Sequence, residues 1–232
     1  MKNLLLWLLV CLLGLPARAA DPRFTVLTVD TTKQRLELFL NDEAGHGWRR
    51  IDRLAAALQA RKQHLVFAMN AGMYHPDFAP VGLFVQDGKQ ITPLNLDDGV
   101  GNFFLKPNGV FMVSDAGPRV VASTEYPALA KGVRLATQSG PLLLRDGLIH
   151  PAFNPQSNSR LIRNGVGVAG SKAYFVISDV PVNFYEFASF FRDQLHCRDA
   201  LYLDGSISSL YAPALQRDDA RANLGPIIGV VE

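Results

Sequence analysis

Short apolar segments joined by tight turns are the feature that most limits the fold of this chain. Two of the turns carry Asp-Gly, at Asp87-Gly88 and Asp146-Gly147. Asp-Gly between apolar runs favours a two-residue hairpin, because the type I′ turn needs positive φ at both central residues. The segment pairs predicted to form hairpins are 83–85 with 91, 110–113 with 120–121, 142–144 with 148–149, and 165–168 with 173–177. The pattern therefore predicts a sheet that is largely antiparallel.

Other segments complete the predicted fold class. Residues 24–40 alternate as two paired strands would, and 65–69 and 200–203 are short apolar runs typical of buried strands. Apolar residues at helical spacing predict a helix over about 47–61. A second helix is expected to begin near Asn183, because Glu186 stands three residues later and can complete a capping box. We therefore predict an α+β domain, with a mixed, largely antiparallel β-sheet core built from hairpins and a few flanking helices.

Residues 1–20 have the parts of a secretory signal peptide. Lys2 precedes an apolar stretch over 4–15, and Ala17-Arg18-Ala19 is a small-residue cleavage pattern. This stretch is shorter than the roughly 20 apolar residues that a helix needs to span a bilayer. The prediction is an exported protein, periplasmic or secreted, with one domain over 21–232 and no stable membrane insertion after cleavage. An uncleaved N-terminal anchor is the alternative.

Charge and cysteine content narrow the function. Without Lys2 and Arg18 the 23 basic residues become 21, which equals the 21 acidic residues. Nucleic-acid binding is not expected of a neutral chain, because it needs many clustered cations; a local anion pocket stays open. Cys197 would then be the one cysteine left, so no internal disulfide is expected. A buried structural cysteine is favoured over a nucleophile–base pair with His196, because adjacent helical side chains point in different directions.

Polar clusters follow several of the apolar strands, where loops commonly carry functional groups. These clusters are 70–75, Gln138-Ser139-Gly140, Arg160 with Arg163-Asn164-Gly165, Asp179, and 204–209. Carboxylates, a guanidinium and hydroxyls at strand ends suit an anionic substrate rich in oxygen. The sequence has no Gly-x-Ser-x-Gly, no His-Glu-x-x-His, no Cys-x-x-Cys and no Gly-rich nucleotide loop. No cofactor is predicted with certainty, although aspartate and asparagine at strand ends could bind a divalent cation.

Several of these motifs, taken in order, resemble the phosphodiester glycosidase domain family over roughly residues 60–232. They are Asn70-Ala71-Gly72-Met73-Tyr74, Ser139-Gly140-Pro141, Arg163 before Val166-Gly167-Val168, Asp179, Glu186-Phe187-Ala188, Leu203-Asp204-Gly205 and Ser208-Ser209. The chain departs from the family where Ala71 replaces a glycine and where Ser206-Ile207 replaces two glycines. Fewer glycines make the loop after Asp204 less tolerant of positive φ, so a different substrate pocket is expected.

The resemblance implies hydrolysis of a sugar-1-phosphodiester in a glycan or envelope polymer. It makes Asp204 the nucleophile or the base that activates water, with Asp179 or Glu186 as a supporting carboxylate. Arg163 would hold the phosphate, and Asn70 would bind the sugar or position its loop. The remaining residues implied in substrate or phosphate binding are Gly72, Ser139, Gly140, Gly205, Ser208 and Ser209. Asp204, Arg163 and Asn70 are expected to share one cleft.

Each role has a plainer alternative. Glu186 could only cap its helix, and Asp179 and Asp204 could only shape turns. The whole protein could be a non-catalytic carbohydrate-binding or envelope polysaccharide assembly protein on the same scaffold. It could also be a hydrolase of another bond that uses Ser208 or Ser209.

Overall fold

The structure is a computed structural model that describes residues 21–205, 207–219 and 222–232. The predicted signal peptide, residues 1–20, lies outside the described residues. Within the described ranges, the helices are too short or too polar to cross a membrane.

The strands of the described residues form three sheets, in which every pairing is antiparallel. Sheet I has the order β1 (Phe24–Asp30), β12 (Lys172–Ser178), β11 (Asn164–Ala169), β13 (Asp199–Asp204), β9 (Leu142–Arg145), β10 (Leu148–Ile149). Sheet II has the order β15 (Arg217–Asp218), β14 (Leu210–Ala212), β3 (Leu65–Asn70), β16 (Ile227–Val231), β2 (Leu36–Phe39). Sheet III has the order β5 (Lys89–Thr92), β4 (Phe84–Gln86), β8 (Val133–Ser139), β6 (Gly109–Ser114), β7 (Gly117–Ala122).

Helices cover the outer faces of these sheets. They are α1 (Ile51–Ala60), α2 (Tyr126–Leu129) and α3 (Phe184–Asp193), with 3₁₀ turns at Asn102–Phe104 and Pro213–Leu215. The helix predicted over 47–61 is α1, which is shorter at its N-terminal end. The capping box of α3 is confirmed: Asn183 Oδ1 accepts from Glu186 N at 2.9 Å, and Glu186 Oε2 accepts from Asn183 N at 3.0 Å.

The four predicted hairpins are present, as β4–β5, β6–β7, β9–β10 and β11–β12. Asp87 and Gly88 have φ of 48° and 76°, and Asp146 and Gly147 have φ of 52° and 80°. These are the positive values that the Asp-Gly turns require. The predicted α+β class with a largely antiparallel core is confirmed.

One predicted pairing is wrong. β1 and β2 do not pair with each other: β1 pairs with β12 in sheet I, and β2 pairs with β16 in sheet II. Alternation shows which face of a strand is buried, but it carries no information about the partner strand. Both strands contribute side chains to the same hydrophobic core, although they belong to different sheets.

A central core lies between the inner faces of the three sheets, and Val166, Leu201 and Leu203 of sheet I belong to it. The opposite face of sheet I packs against α3 through Ala200 and Tyr202. Side chains of β13 therefore alternate between two hydrophobic layers, as the pleat requires. The site described next lies at the end of this strand.

Cys197 is buried beneath α3, as predicted. Burial raises the pKa of its thiol to about 12. The group is therefore protonated at neutral pH, which agrees with a structural role.

Candidate active site

Three strands from distant parts of the chain end at one place. Asn70 ends β3, Asn164 begins β11 and Asp204 ends β13. Asn70 Nδ2 donates to Asn164 Oδ1 at 3.0 Å, and Asn164 Nδ2 donates to Asn70 O at 2.9 Å. Since both asparagines are buried, this amide pair joins sheet I to sheet II with little competition from water.

Asn164 also fixes the segment that carries Asp204. Its Oδ1 accepts from Asp204 N at 3.1 Å and lies 3.2 Å from Ser208 Oγ. Asn164 was marked by the sequence only as a neighbour of Arg163. Its spacing of two residues from the apolar Val166 was the signal that it points toward the central core.

The serines after Asp204 hold the loop in place. Ser209 N donates to Asn70 Oδ1 at 3.0 Å, while the hydroxyls of Ser208 and Ser209 donate to the carbonyls of Asp204 and Ile207 at 3.1 and 2.9 Å. Ser139 Oγ likewise donates to Leu203 O at 2.9 Å. All three side chains are buried. Their hydroxyls are therefore engaged with backbone and amide groups instead of lining an anion pocket, and no described base activates Ser208 or Ser209 as a nucleophile.

The predicted glycines lie where backbone segments approach closely. A Cβ at Gly72 would lie 2.4 Å from Gln138 O, and one at Gly140 would lie 2.6 Å from Phe103 O. A Cβ at Gly205 would lie 2.2 Å from the Tyr202 hydroxyl oxygen. These distances leave no room for a side chain, so the glycines allow the loops around Asp204 to pack.

Asp204 is the described carboxylate that faces a cleft at this junction. Burial raises the pKa of Asp204 to about 6, although the Gly205 N–H donates to its Oδ1 and opposes the rise. The carboxyl group is therefore mostly ionised at pH 7 and changes protonation state just below it. A carboxyl group that titrates near the working pH is suited to acid–base or nucleophilic chemistry.

The cleft has a volume of about 380 Å³. It is lined by Met73, Tyr74, His75, Val81, Val100, Gly101, Asn102, Phe103, Phe104, Asp204 and Ile207. Tyr74 OH donates to Asn223 O at 2.7 Å. Burial raises the pKa of Tyr74, and the negative charge of Asp204 raises it further. The cleft is thus a shallow site with aromatic walls and a carboxylate in its wall.

Arg163 does not line this cleft. It is 1% exposed, and its Nε, Nη1 and Nη2 donate to Val182 O at 2.9 Å, Tyr202 OH at 3.4 Å and Ser159 O at 3.0 Å. Its guanidinium also lies 3.8 Å from the Phe184 ring centroid. Since Arg163 precedes Asn164 on the strand, it points to the opposite face, under α3. This corrects the expectation that Asp204, Arg163 and Asn70 share one cleft.

The structure does not place Asp179 or Glu186 beside Asp204. Asp179 accepts from Thr25 Oγ1 at 2.8 Å and pairs with Arg217. Glu186 caps α3 and forms an ion pair with Arg160 at 2.9 Å. Neither residue is among those that line the cleft. The predicted supporting carboxylate is therefore not found next to Asp204 in the described part of the chain.

Metal ligands are not gathered here. The described ranges contain no group of three or more His, Cys, Asp or Glu placed to hold a metal ion.

Comparisons with known proteins identify the family and the fold of this chain. The chain is 38% identical over 196 residues to the uncharacterized protein YigE of Escherichia coli (strain K12). The aligned region covers 83% of this chain and 76% of that protein. The zebrafish N-acetylglucosamine-1-phosphodiester alpha-N-acetylglucosaminidase catalytic domain, auto-inhibited by its pro-peptide, has a similar fold. Its TM-score is 0.59 at 14% identity, over 90% of this chain and 84% of that one.

A hypothetical protein from Synechocystis also has a similar fold, with a TM-score of 0.57 at 14% identity. The match covers 90% of this chain and 59% of that one. Residues 63–231 match the phosphodiester glycosidase family, and this range includes Asn70, Asn164 and Asp204. The chain belongs to the phosphodiester glycosidase family.

Proposed function

We propose that this protein is an exported hydrolase that cleaves the bond between the anomeric carbon of a sugar and a phosphodiester oxygen, in a glycan or envelope polymer. Family membership supports the reaction type. The observation that carries the proposal is the position of Asp204, a partly buried carboxylate with a raised pKa in the wall of a cleft.

The chemistry explains why one carboxylate in the cleft is enough. A phosphodiester leaves as a weakly basic phosphate monoester, so the leaving oxygen needs no strong general acid. The demand lies instead at the sugar, where positive charge develops on the anomeric carbon and ring oxygen. An ionised carboxylate next to that carbon stabilises the charge and either attacks it or removes a proton from the attacking water.

The amide network gives Asp204 the fixed position that this role requires. Asn164 binds the Asp204 N–H, and Asn164 is in turn bound to Asn70 on another sheet. Asn70 therefore serves as a positioning residue in this proposal, and it does not contact the sugar. Tyr74 and Phe104 provide aromatic surface against which the apolar face of a sugar ring can pack.

The first experiment measures hydrolysis of a panel of sugar 1-(methyl phosphate) diesters by the purified protein. Performing the reaction in ¹⁸O-labelled water distinguishes the bond that breaks. Cleavage between carbon and oxygen places the label on the sugar, whereas cleavage between phosphorus and oxygen places it on the phosphate. The proposal requires label on the sugar.

Asp204→Asn should lower kcat/KM by at least about 100-fold. In a plot of the logarithm of wild-type kcat/KM against pH, the value should fall with a slope of one below about pH 6, because protonation removes the active form of Asp204. Asp115→Asn, a change in an exposed turn, is the matched control and should retain full activity. Binding of the diesters without turnover would favour the carbohydrate-binding alternative, and full activity of folded Asp204→Asn would refute the assigned role.

A further inference from the structure

The cleft at Asp204 lacks an obvious partner for a phosphate. Its lining includes no arginine or lysine among the described residues. Arg163 is unsuited to the task, because protein oxygens accept from its Nε, Nη1 and Nη2. A phosphodiester carries one negative charge, and protein sites for such anions usually contain a guanidinium or ammonium group.

Arg49 lies beside Phe78, just outside the residues that line the cleft. Its Cζ is 4.2 Å from the Phe78 ring centroid. Phe78 in turn stacks on Tyr74, with ring centroids 5.5 Å apart and planes inclined by 20°. Because Tyr74 lines the cleft, the Tyr74–Phe78 pair leads from Asp204 to the Arg49 guanidinium.

The guanidinium of Arg49 has no hydrogen-bond acceptor among the described residues, and it packs against Gly47 as well as Phe78. It makes no ion pair within the described ranges either, whereas the nearby Arg50 and Arg53 are paired with Asp52 and Asp42 at 2.6 and 3.4 Å. Stacking on an aromatic ring uses the flat face of a guanidinium and leaves the N–H groups in its plane free. Arg49 is thus oriented by Phe78 and still able to bind an anion.

The backbone holds Arg49 and Phe78 in an uncommon conformation. Their φ values are 62° and 71°, in the left-handed region that non-glycine residues seldom occupy. Arg49 O accepts from Leu224 N at 2.6 Å, and Tyr74 OH donates to Asn223 O. The adjacent residues Asn223 and Leu224 therefore hold both Tyr74 and Arg49 in place. Strained conformations that the surroundings maintain are found preferentially at binding and catalytic sites.

The Tyr74 hydroxyl lies within electrostatic range of both Asp204 and Arg49. Burial and the Asp204 carboxylate raise the pKa of Tyr74, and the Arg49 guanidinium lowers it. A substrate that lies along Tyr74 would have its anomeric carbon toward Asp204 and its anion toward Arg49.

We propose that Arg49 binds the phosphodiester anion of the substrate, with Tyr74 and Phe78 forming a surface alongside the sugar–phosphate bond that reaches from Asp204 to this anion site. This inference rests on the proposed function and assigns its phosphate contact to Arg49 in place of Arg163. Arg49 is a substrate-binding residue in this arrangement, and it takes no part in bond cleavage.

The test compares Arg49→Gln with Arg53→Gln, a matched change on α1 away from the cleft. Loss of a charge-assisted contact should raise KM for a sugar 1-(methyl phosphate) about 10- to 100-fold with little change in kcat. KM for an uncharged nitrophenyl glycoside of the same sugar should not change, and Arg49→Lys should restore part of the loss. Arg53→Gln should behave as wild type. If Arg49→Gln fails to fold, Arg49→Met keeps the apolar contact with Phe78 and replaces it in the test.

A second readout separates this inference from the proposed function. Binding of a sugar 1-phosphate, measured by calorimetry, needs no turnover and should weaken about 10- to 100-fold in Arg49→Gln. Weakened binding in a protein without hydrolytic activity would refute the proposed function and retain the anion site. Unchanged KM and unchanged binding in folded Arg49→Gln would overturn the assignment of Arg49, whether or not the protein is a hydrolase.

Discussion

Asp204→Asn is expected to stabilise the fold at neutral pH while it removes activity. Burial raises the pKa of Asp204 from 3.8 to about 6 in the folded protein. Between these values the folded state binds more protons than the unfolded state, so the free energy of unfolding falls as the pH rises. One pKa unit corresponds to about 1.36 kcal/mol, so ionisation of Asp204 costs the fold about 3 kcal/mol above pH 6.

Asparagine has nearly the same shape and carries no charge, and its oxygen can still accept from Gly205 N–H. The free energy of unfolding should therefore rise by about 1–3 kcal/mol in Asp204→Asn at about pH 7.5. The gain should shrink toward zero near pH 4, where the wild-type carboxyl group is protonated in the folded state. Urea denaturation followed by circular dichroism at several pH values measures both quantities.

The matched control is Asp115→Asn, which removes an exposed carboxylate and should change stability by less than about 0.5 kcal/mol at either pH. A folded Asp204→Asn that is less stable than wild type at pH 7.5 would refute the reasoning. So would a stability gain that does not depend on pH, because the gain would then arise from packing and not from a buried charge.

Two further predictions follow from buried groups. Asn164→Ala leaves Asn70 Nδ2 and Asp204 N without their acceptor, so it should lower the free energy of unfolding by about 2–4 kcal/mol in urea denaturation. The control Asn158→Ala, at an exposed position, should have little effect, and a loss below about 1 kcal/mol for Asn164→Ala would show that the network is dispensable. Cys197 should not react with a thiol reagent near pH 8 until the protein unfolds, because burial raises the pKa of its thiol to about 12, and rapid labelling of the native protein would contradict this placement.

Features fixed by neighbouring residues could be predicted from the sequence. The Asp-Gly turns depend on the φ preferences of two residues, and the Asn183–Glu186 capping box depends on a spacing of three. The end of the strand at Asp204 followed from the apolar run before it. Each of these rests on contacts within a few residues of the chain.

Features that depend on distant partners could not be predicted in this way. β1 meets β12 and β2 meets β16, more than a hundred residues along the chain, and alternation does not distinguish these partners from nearer ones. The roles of Arg163 and Asn164 were misjudged for a related reason. Adjacent strand residues face opposite sides, and the spacing from Val166 was the one sequence signal that Asn164 faces the core; the position of the covering helix α3 shows what Arg163 contacts instead.

The place of β16 between β3 and β2 in sheet II has a consequence for proteolysis. Its two neighbours, β2 and β3, hydrogen-bond to it along opposite sides. A cut just before Ile227 that released this strand would create two bare edges at once, each with unpaired N–H and C=O groups that invite pairing with other molecules. Although a cut near residue 226 removes only a short C-terminal segment, it would thus promote aggregation of the protein.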